Sequence, residues 1–216
     1  MLNLHDYMYM RTKRNIAFWV VALVATLFVV SCSNDTDTVL NSQQTSISNY
    51  LTRSHSPRLI PESEISASLD NEPQYYEQWG LDLYRYIATR YEEGRQDKPT
   101  VDWGSTIEIY YSAYIFSGSK PSLKELYATN EESQIEALKK EGLNTSYEWT
   151  TDPLEITIGE SEILKGLEEA LPECKEGDTV EIYMTFPKAN GNNYVGMVPA
   201  KSAVMWVINI LSVTNK

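Results

Sequence analysis

Histidine and cysteine are nearly missing from this chain, which holds two of each in 216 residues: His5, His55, Cys32 and Cys174. A Ser-His or Cys-His catalytic pair needs an imidazole in the folded body, and a structural zinc site needs several thiolates or imidazoles together. Neither is available from so few. Two cysteines also give no disulfide framework, and the ten glycines form no Gly-rich phosphate loop. Positive charge is scarce too, with 18 Lys and Arg against 30 Asp and Glu and a net charge of −12. A surface that acidic repels phosphate backbones and anionic lipid headgroups, so nucleic-acid binding and electrostatic docking on membranes are disfavoured. No cofactor is expected. What remains abundant is apolar and aromatic surface: 42% hydrophobic residues, including 15 Tyr and 5 Trp, enough to build a core.

The N-terminus has its own grammar. Arg11, Lys13 and Arg14 precede an apolar run from Ile16 to Val30 that contains no Gly, Pro or charge. Fifteen residues suit the core of an export signal and are short for a membrane span. Val29-Val30-Ser31-Cys32 resembles a lipobox, in which a small residue precedes the cysteine that is cleaved and lipidated. Residues 1–31 are therefore expected to be a lipoprotein signal peptide and Cys32 the lipidation site. Loss of that segment would leave 15 basic and 29 acidic residues, a net charge of −14. Ser33-Asn34-Asp35-Thr36-Asp37 is similar to the acidic export signals of Bacteroidota surface lipoproteins, so the expected location is the bacterial envelope. That means the outer membrane, facing the periplasm or the surface, held by the lipid anchor only. The alternative is a buried hydrophobic helix that happens to end in cysteine.

Residues 32–72 are rich in Ser, Thr, Asn and Gln without a helical or alternating apolar period, which predicts a flexible tether. From Pro73, Tyr76, Trp79, Leu83, Tyr84, Tyr86, Ile87 and Tyr91 recur at helical spacings, predicting a helix over residues 74–93, stopped by Gly94, in a helical extension spanning 73–98. Residues 106–116 are β-branched and aromatic, a strand that closes at Ser117-Gly118-Ser119. An irregular insertion, 117–152, carries one short helix at Glu131–Lys140 ended by Gly142. Leu154 to Gly159 alternates as a half-buried strand. Ile163, Leu164, Leu167 and Leu171 share one face of a short helix stopped by Pro172. Strands follow at 179–186 and at 202–213, the last buried on both faces. The plan is α+β, with one helix against an antiparallel sheet. Cys174, lacking a partner once Cys32 is acylated, is expected to be a small buried apolar residue.

Ile158-Gly159-Glu160-Ser161-Glu162-Ile163-Leu164-Lys165-Gly166-Leu167-Glu168-Glu169-Ala170-Leu171 resembles the helix block of FKBP-type peptidyl-prolyl isomerases, and Lys175-Glu176-Gly177-Asp178 falls where that family has a glycine turn. Gly196-Met197-Val198-Pro199 and the segment Val204 to Leu211 are similar to its Gly-Ile-Ile-Pro loop and closing strand. The resemblance spans about residues 100–213 and implies an FKBP-like domain over 99–216, its sheet wrapped around one short helix. It also implies a prolyl pocket made by Tyr111, Tyr127, Leu154, Ile163, Leu164, Leu167, Tyr194, Val198 and Trp206. The family's pocket tyrosine falls on Tyr111, its Phe-Asp pair on Tyr127 and Ala128, and its second-strand phenylalanine on Leu154. Its Val-Ile pair falls on Ile163 and Leu164, whose N–H at Leu164 would meet a ligand carbonyl. The tryptophan that floors the family's pocket is Leu167 here, its closing-strand phenylalanine is Trp206, and its loop isoleucine is Val198. Its loop tyrosine is lost near Asn190, with Tyr194 as the substitute.

The resemblance thus implies binding of proline-containing segments of exported proteins, or of an envelope protein, with weak peptidyl-prolyl cis-trans isomerase activity. The loss of the aromatic floor and of the aspartate keeps a second reading open, a catalytically inactive protein-binding module of the envelope. In that reading the 117–152 insertion and the 74–93 helix form the partner surface. Glycan capture by exposed aromatic rings is a third. The oligomeric state is not legible.

Overall fold

The structure, a computed structural model, describes residues 35–216. The expected signal peptide and Cys32 lie outside the described residues. The chain divides into two compact units, Met1–Asn41 and Ser42–Lys216. Of the first, residues 35–41 are described and are helical. The second begins with a helix over residues 42–49, α1, which ends in a wide turn, Tyr50–Ser54.

Its strands are β1 (Ile60–Pro61), β2 (Tyr75–Trp79), β3 (Leu83–Ile87), β4 (Thr106–Ile115), β5 (Leu126–Thr129), β6 (Leu154–Thr157), β7 (Thr179–Met184) and β8 (Val204–Thr214). Two helices lie among them, α2 (Glu132–Glu141) and α3 (Lys165–Ala170). The sheet runs β1-β2-β3-β7-β8-β4-β5, with β6 also pairing β4. Only β1 and β2 are parallel, so the α+β plan holds with a mixed sheet in place of an antiparallel one.

β8 sits between β7 and β4, and because side chains alternate along a strand it feeds two cores at once. Val204, Trp206, Ile208 and Ile210 face inward, where Ile107, Ile109, Val180, Ile182 and α3's Leu167 and Ala170 complete an aliphatic core. Met205 faces outward to a second core of Tyr76, Tyr84, Tyr86, Phe116 and Tyr183.

The outer core is closed by the segment expected to be a tether. Ile47, Tyr50, Leu51 and Leu59 are buried against those tyrosines. Gln43 strengthens the attachment, its Nε2 donating to the Lys201 carbonyl at 2.7 Å while its Oε1 accepts from the Phe186 N–H at 3.0 Å. Residues 42–59 are therefore a packed strap. Its anchors Ile47, Tyr50 and Leu51 do stand at helical spacing, but the run is too short among Ser, Thr, Asn and Gln to stand out as a period.

The helix expected at 74–93 is likewise absent: β2 and β3 form a hairpin there, turned at Gly80, whose φ of +61° suits glycine. All five residues of β3 are buried, Leu83 and Ile87 in the inner core, Tyr84 and Tyr86 in the outer one. A strand buried on both faces loses its polar alternation, and its aromatics then mimic a helical stripe. Arg85, 1% exposed, reaches from β3 to the end of α3. Its Nη1 donates to the carbonyls of Ala170 at 2.7 Å and Pro172 at 2.5 Å, while Glu77 neutralises it. These bonds satisfy carbonyls that a short helix leaves unpaired at its C-terminus.

The later elements follow the sequence closely. α2 ends at Gly142, in the left-handed region with φ +67°, its N–H returning to the Leu138 and Lys139 carbonyls. The insertion contains α2 and also β5, a short strand that the sequence conceals. Cys174 is wholly buried, and that burial pushes its thiol pKa up to about 12, against a smaller pull from Arg85.

Candidate functional site

The inner face of β4 and β8 presents the aromatic part of the site. Across the antiparallel pair Tyr111 opposes Ile208 and Ala113 opposes Trp206, so Tyr111 and Trp206 are diagonal neighbours. Their rings stack with centroids 4.8 Å apart and planes at 17°. Tyr127 joins them through an irregularity. The β4–β5 register shifts between Ala113 and Tyr114, which makes Tyr127 the extra residue of a bulge. Successive residues Tyr127 and Ala128 thereby both pack on the inner core, which regular pleating would forbid.

Trp206 Nε1 donates to the Tyr127 hydroxyl at 2.7 Å, and the two rings meet edge to face at 6.5 Å. Because that hydroxyl accepts from Trp206, its own proton is left to be donated elsewhere. Burial drives the Tyr127 pKa far above that of an ordinary tyrosine, with the Trp206 bond opposing, and burial also raises Tyr111. Both hydroxyls stay protonated donors.

Asn130, 2% exposed, fixes Tyr111 in place. Its Oδ1 accepts the Tyr111 N–H at 2.7 Å, and its Nδ2 donates to the Ile109 and Asp152 carbonyls, both at 3.0 Å. Sequence reasoning missed it, because its burial and its bonds to Tyr111, Ile109 and Asp152 are tertiary and leave no local mark.

α3 forms the floor. Leu167 is 1% exposed within the inner core, while Ile163 and Leu164 are half-buried against it. Leu164 is extended, with φ −60° and ψ 136°, and its carbonyl accepts the Leu167 and Glu168 N–H groups. Its own N–H precedes the helix ladder and takes no part in it. Gly166 is what lets α3 lie so close to β7. A Cβ there would collide with Met184 Sδ and come within 3.1 Å of the Lys188 carbonyl oxygen.

Val198, 1% exposed, is held by a tight turn in which it exchanges two backbone hydrogen bonds with Val195. Next to it, Asn144 Nδ2 lies 3.9 Å from Met197 Sδ, bringing the insertion to this loop. Tyr147 and Trp149, with ring centroids 4.8 Å apart, belong to the same insertion.

Tyr111, Tyr127, Ile163, Leu164, Leu167, Val198 and Trp206 thus gather on one core. Two of the expected pocket residues do not. Leu154 is 38% exposed because it opens β6, a strand flanked only by β4, and Tyr194 is 69% exposed on the β7–β8 loop. Among the described residues no group of three or more His, Cys, Asp or Glu side chains is arranged to hold a metal ion.

No curated protein sequence matches the chain. Residues 133–211, from α2 into β8, match the family FKBP_C, described as FKBP-type peptidyl-prolyl cis-trans isomerase.

Proposed function

We propose that the chain binds proline-containing segments of exported polypeptides over the Tyr111–Trp206 face and weakly accelerates their cis-trans interconversion. The observation that carries this reading is the meeting of Tyr111, Tyr127 and Trp206 with Leu164 at the start of α3, beside a family match that includes α3 and β8.

Rotation about a prolyl amide needs no nucleophile. Its barrier, about 18–20 kcal/mol, comes from amide resonance, which is lost as the bond twists. A water-poor apolar surface favours the less polar twisted state over the planar one. Tyr127 Oη and the Leu164 N–H are the donors available to hold the flanking carbonyls while the ring of the proline rests on Trp206. The acyl anchor at Cys32 belongs to the same proposal. Among the described residues no helix is long and apolar enough to cross a membrane, and a lipid would tether the domain near emerging polypeptides.

Exchange spectroscopy on Xaa-Pro peptides tests the enzyme claim. The purified protein should accelerate exchange above buffer, and Trp206→Ala should lower that acceleration about 3- to 10-fold, the scale of one aromatic contact. No acceleration by the unaltered protein would remove the isomerase claim. A catalytically inactive binding module is the second reading, and the Tyr111–Trp206 stack favours it, because each ring already covers a face that a proline would use. Peptide-induced shifts at Trp206 Nε1 without accelerated exchange would select it.

A further inference from the structure

We propose that the strap of residues 42–59 is latched to the outer face of the sheet by a proton on His55, closed when the imidazole is charged and loosened when it is neutral. The geometry of one buried ring carries this inference. His55 follows the turn that ends α1, its N–H returning to the Tyr50 carbonyl at 2.8 Å, and it is 6% exposed. Its Nδ1 lies 2.5 Å from the Pro57 carbonyl oxygen and its Nε2 lies 2.9 Å from Glu181 Oε2 on β7.

A carbonyl oxygen can only accept. A carboxylate can only accept as well, and the same Oε2 already accepts from the Tyr183 hydroxyl at 2.5 Å. Both ring nitrogens must therefore donate, and only the imidazolium has two N–H groups. A neutral ring would turn a lone pair toward one of these oxygens.

Other groups around the ring set the balance. Tyr50 from the strap and Tyr86 from β3 meet it edge-on, at centroid distances of 5.6 and 5.2 Å. Lys120, on the β4–β5 connection, lines the same cavity and opposes the charge, while Glu181 favours it. That cavity, about 180 Å³, is bounded by the strap's Tyr50, Ser54 and His55 and by Tyr114, Met205 and Val207 of the sheet. It is roomy enough for water, and it lies where strap and sheet would part.

The sign follows from the two states. Burial disfavours the charged ring, but the bonds to Glu181 and Pro57 outweigh it and raise the pKa above 6.5. A raised value means that the folded strap binds the proton more tightly than a detached one. Its contribution is fully present below pH 6.5 and is lost as pH rises through the folded value. Loosening the strap would uncover Tyr84, Tyr86, Phe116, Tyr183 and Met205, an aromatic face on the side of β7 and β8 opposite Trp206. The latch does not depend on the prolyl reading.

Hydrogen exchange on the full chain, corrected for intrinsic exchange and run from about pH 5.5 to about pH 9, tests the latch. Amides of the strap, including the Leu59 N–H bonded to the Leu51 carbonyl, should lose protection by roughly tenfold or more, the scale of one charge-assisted hydrogen bond. Central β4 and β8 amides should hold theirs. In His55→Gln the strap should be weakly protected at every pH. A wild-type strap whose protection is flat across this range, or whose loss is equally steep in His55→Gln, overturns the proposal. Ring ¹⁵N shifts of the unaltered chain give an answer independent of any variant. Two protonated nitrogens on His55 at pH 6.5 are expected, and a neutral ring there would end the idea.

Discussion

The two faces of the same strands are built on different principles. Inside, β4, β7 and β8 contribute mostly Ile and Val, beside the Tyr111–Trp206 stack, and α3 is sealed against them largely by aliphatic packing. Outside, the neighbouring residues are Tyr84, Tyr86, Tyr183 and Met205, and the cover is a strap whose polar atoms must all be answered. Tyr86 bonds Gln74, Tyr84 bonds the Leu81 carbonyl, and Tyr183 bonds Glu181. The inner face is held mostly by burial, which is non-directional and indifferent to pH, with the Trp206–Tyr127 bond and the Asn130 bracket confined to the aromatic site. The outer face depends on hydrogen-bond geometry and on one titrating group, so it is the side on which the molecule can respond to its surroundings.

The comparison breaks most visibly if each core is truncated once. Ile208→Ala, at the centre of β8, should cost about 2–5 kcal/mol in chemical denaturation and lower exchange protection throughout the sheet. Leu51→Ala removes a side chain just as fully buried, yet its effect should concentrate on the amides of the strap. Equal, sheet-wide losses from both would show the two faces to be one cooperative unit.

A smaller effect sharpens the inner side. Gly166→Ala should destabilise the protein by about 1–3 kcal/mol, because the added methyl pushes α3 away from Met184 and the Lys188 carbonyl. Isomerase activity, where present, should fall with it, since Leu164 moves with the helix. Trp206→Phe is the gentlest test: it keeps the stacking with Tyr111 but deletes the bond to Tyr127, for about 0.5–1.5 kcal/mol in thermal or chemical unfolding.

How much could be read from the sequence followed the same division. β6 and α3 show one buried and one wet face, and β4 and β8 stand out as long β-branched runs, so Ile107, Ile156, Leu167 and Ile208 announce themselves by period and composition. The FKBP-like helix block and closing strand fall among these elements, which is why Leu164, Leu167 and Trp206 could be named in advance. The strap and the β2–β3 hairpin could not. Ile47, Tyr50 and Leu51 make too short an apolar run in a stretch rich in Ser, Thr and Asn, and β3 is apolar on both sides, so its signal belonged equally to a helix. Tyr127 was named by resemblance, but the bulge that aims it, and the Asn130 bracket that steadies Tyr111, are tertiary devices without a local signature. Leu154 and Tyr194 stand apart from the other expected pocket residues because a family resemblance does not reveal that one opens an exposed strand end and the other sits on an exposed loop.

The strap's landing place imposes an order of events. The surface that receives residues 42–59 is complete only with Ala203 and Met205 in place and β8 slotted between β7 and β4. Contacts so distant along the polypeptide are slow to close, so the strap is expected to settle after the sheet that it covers.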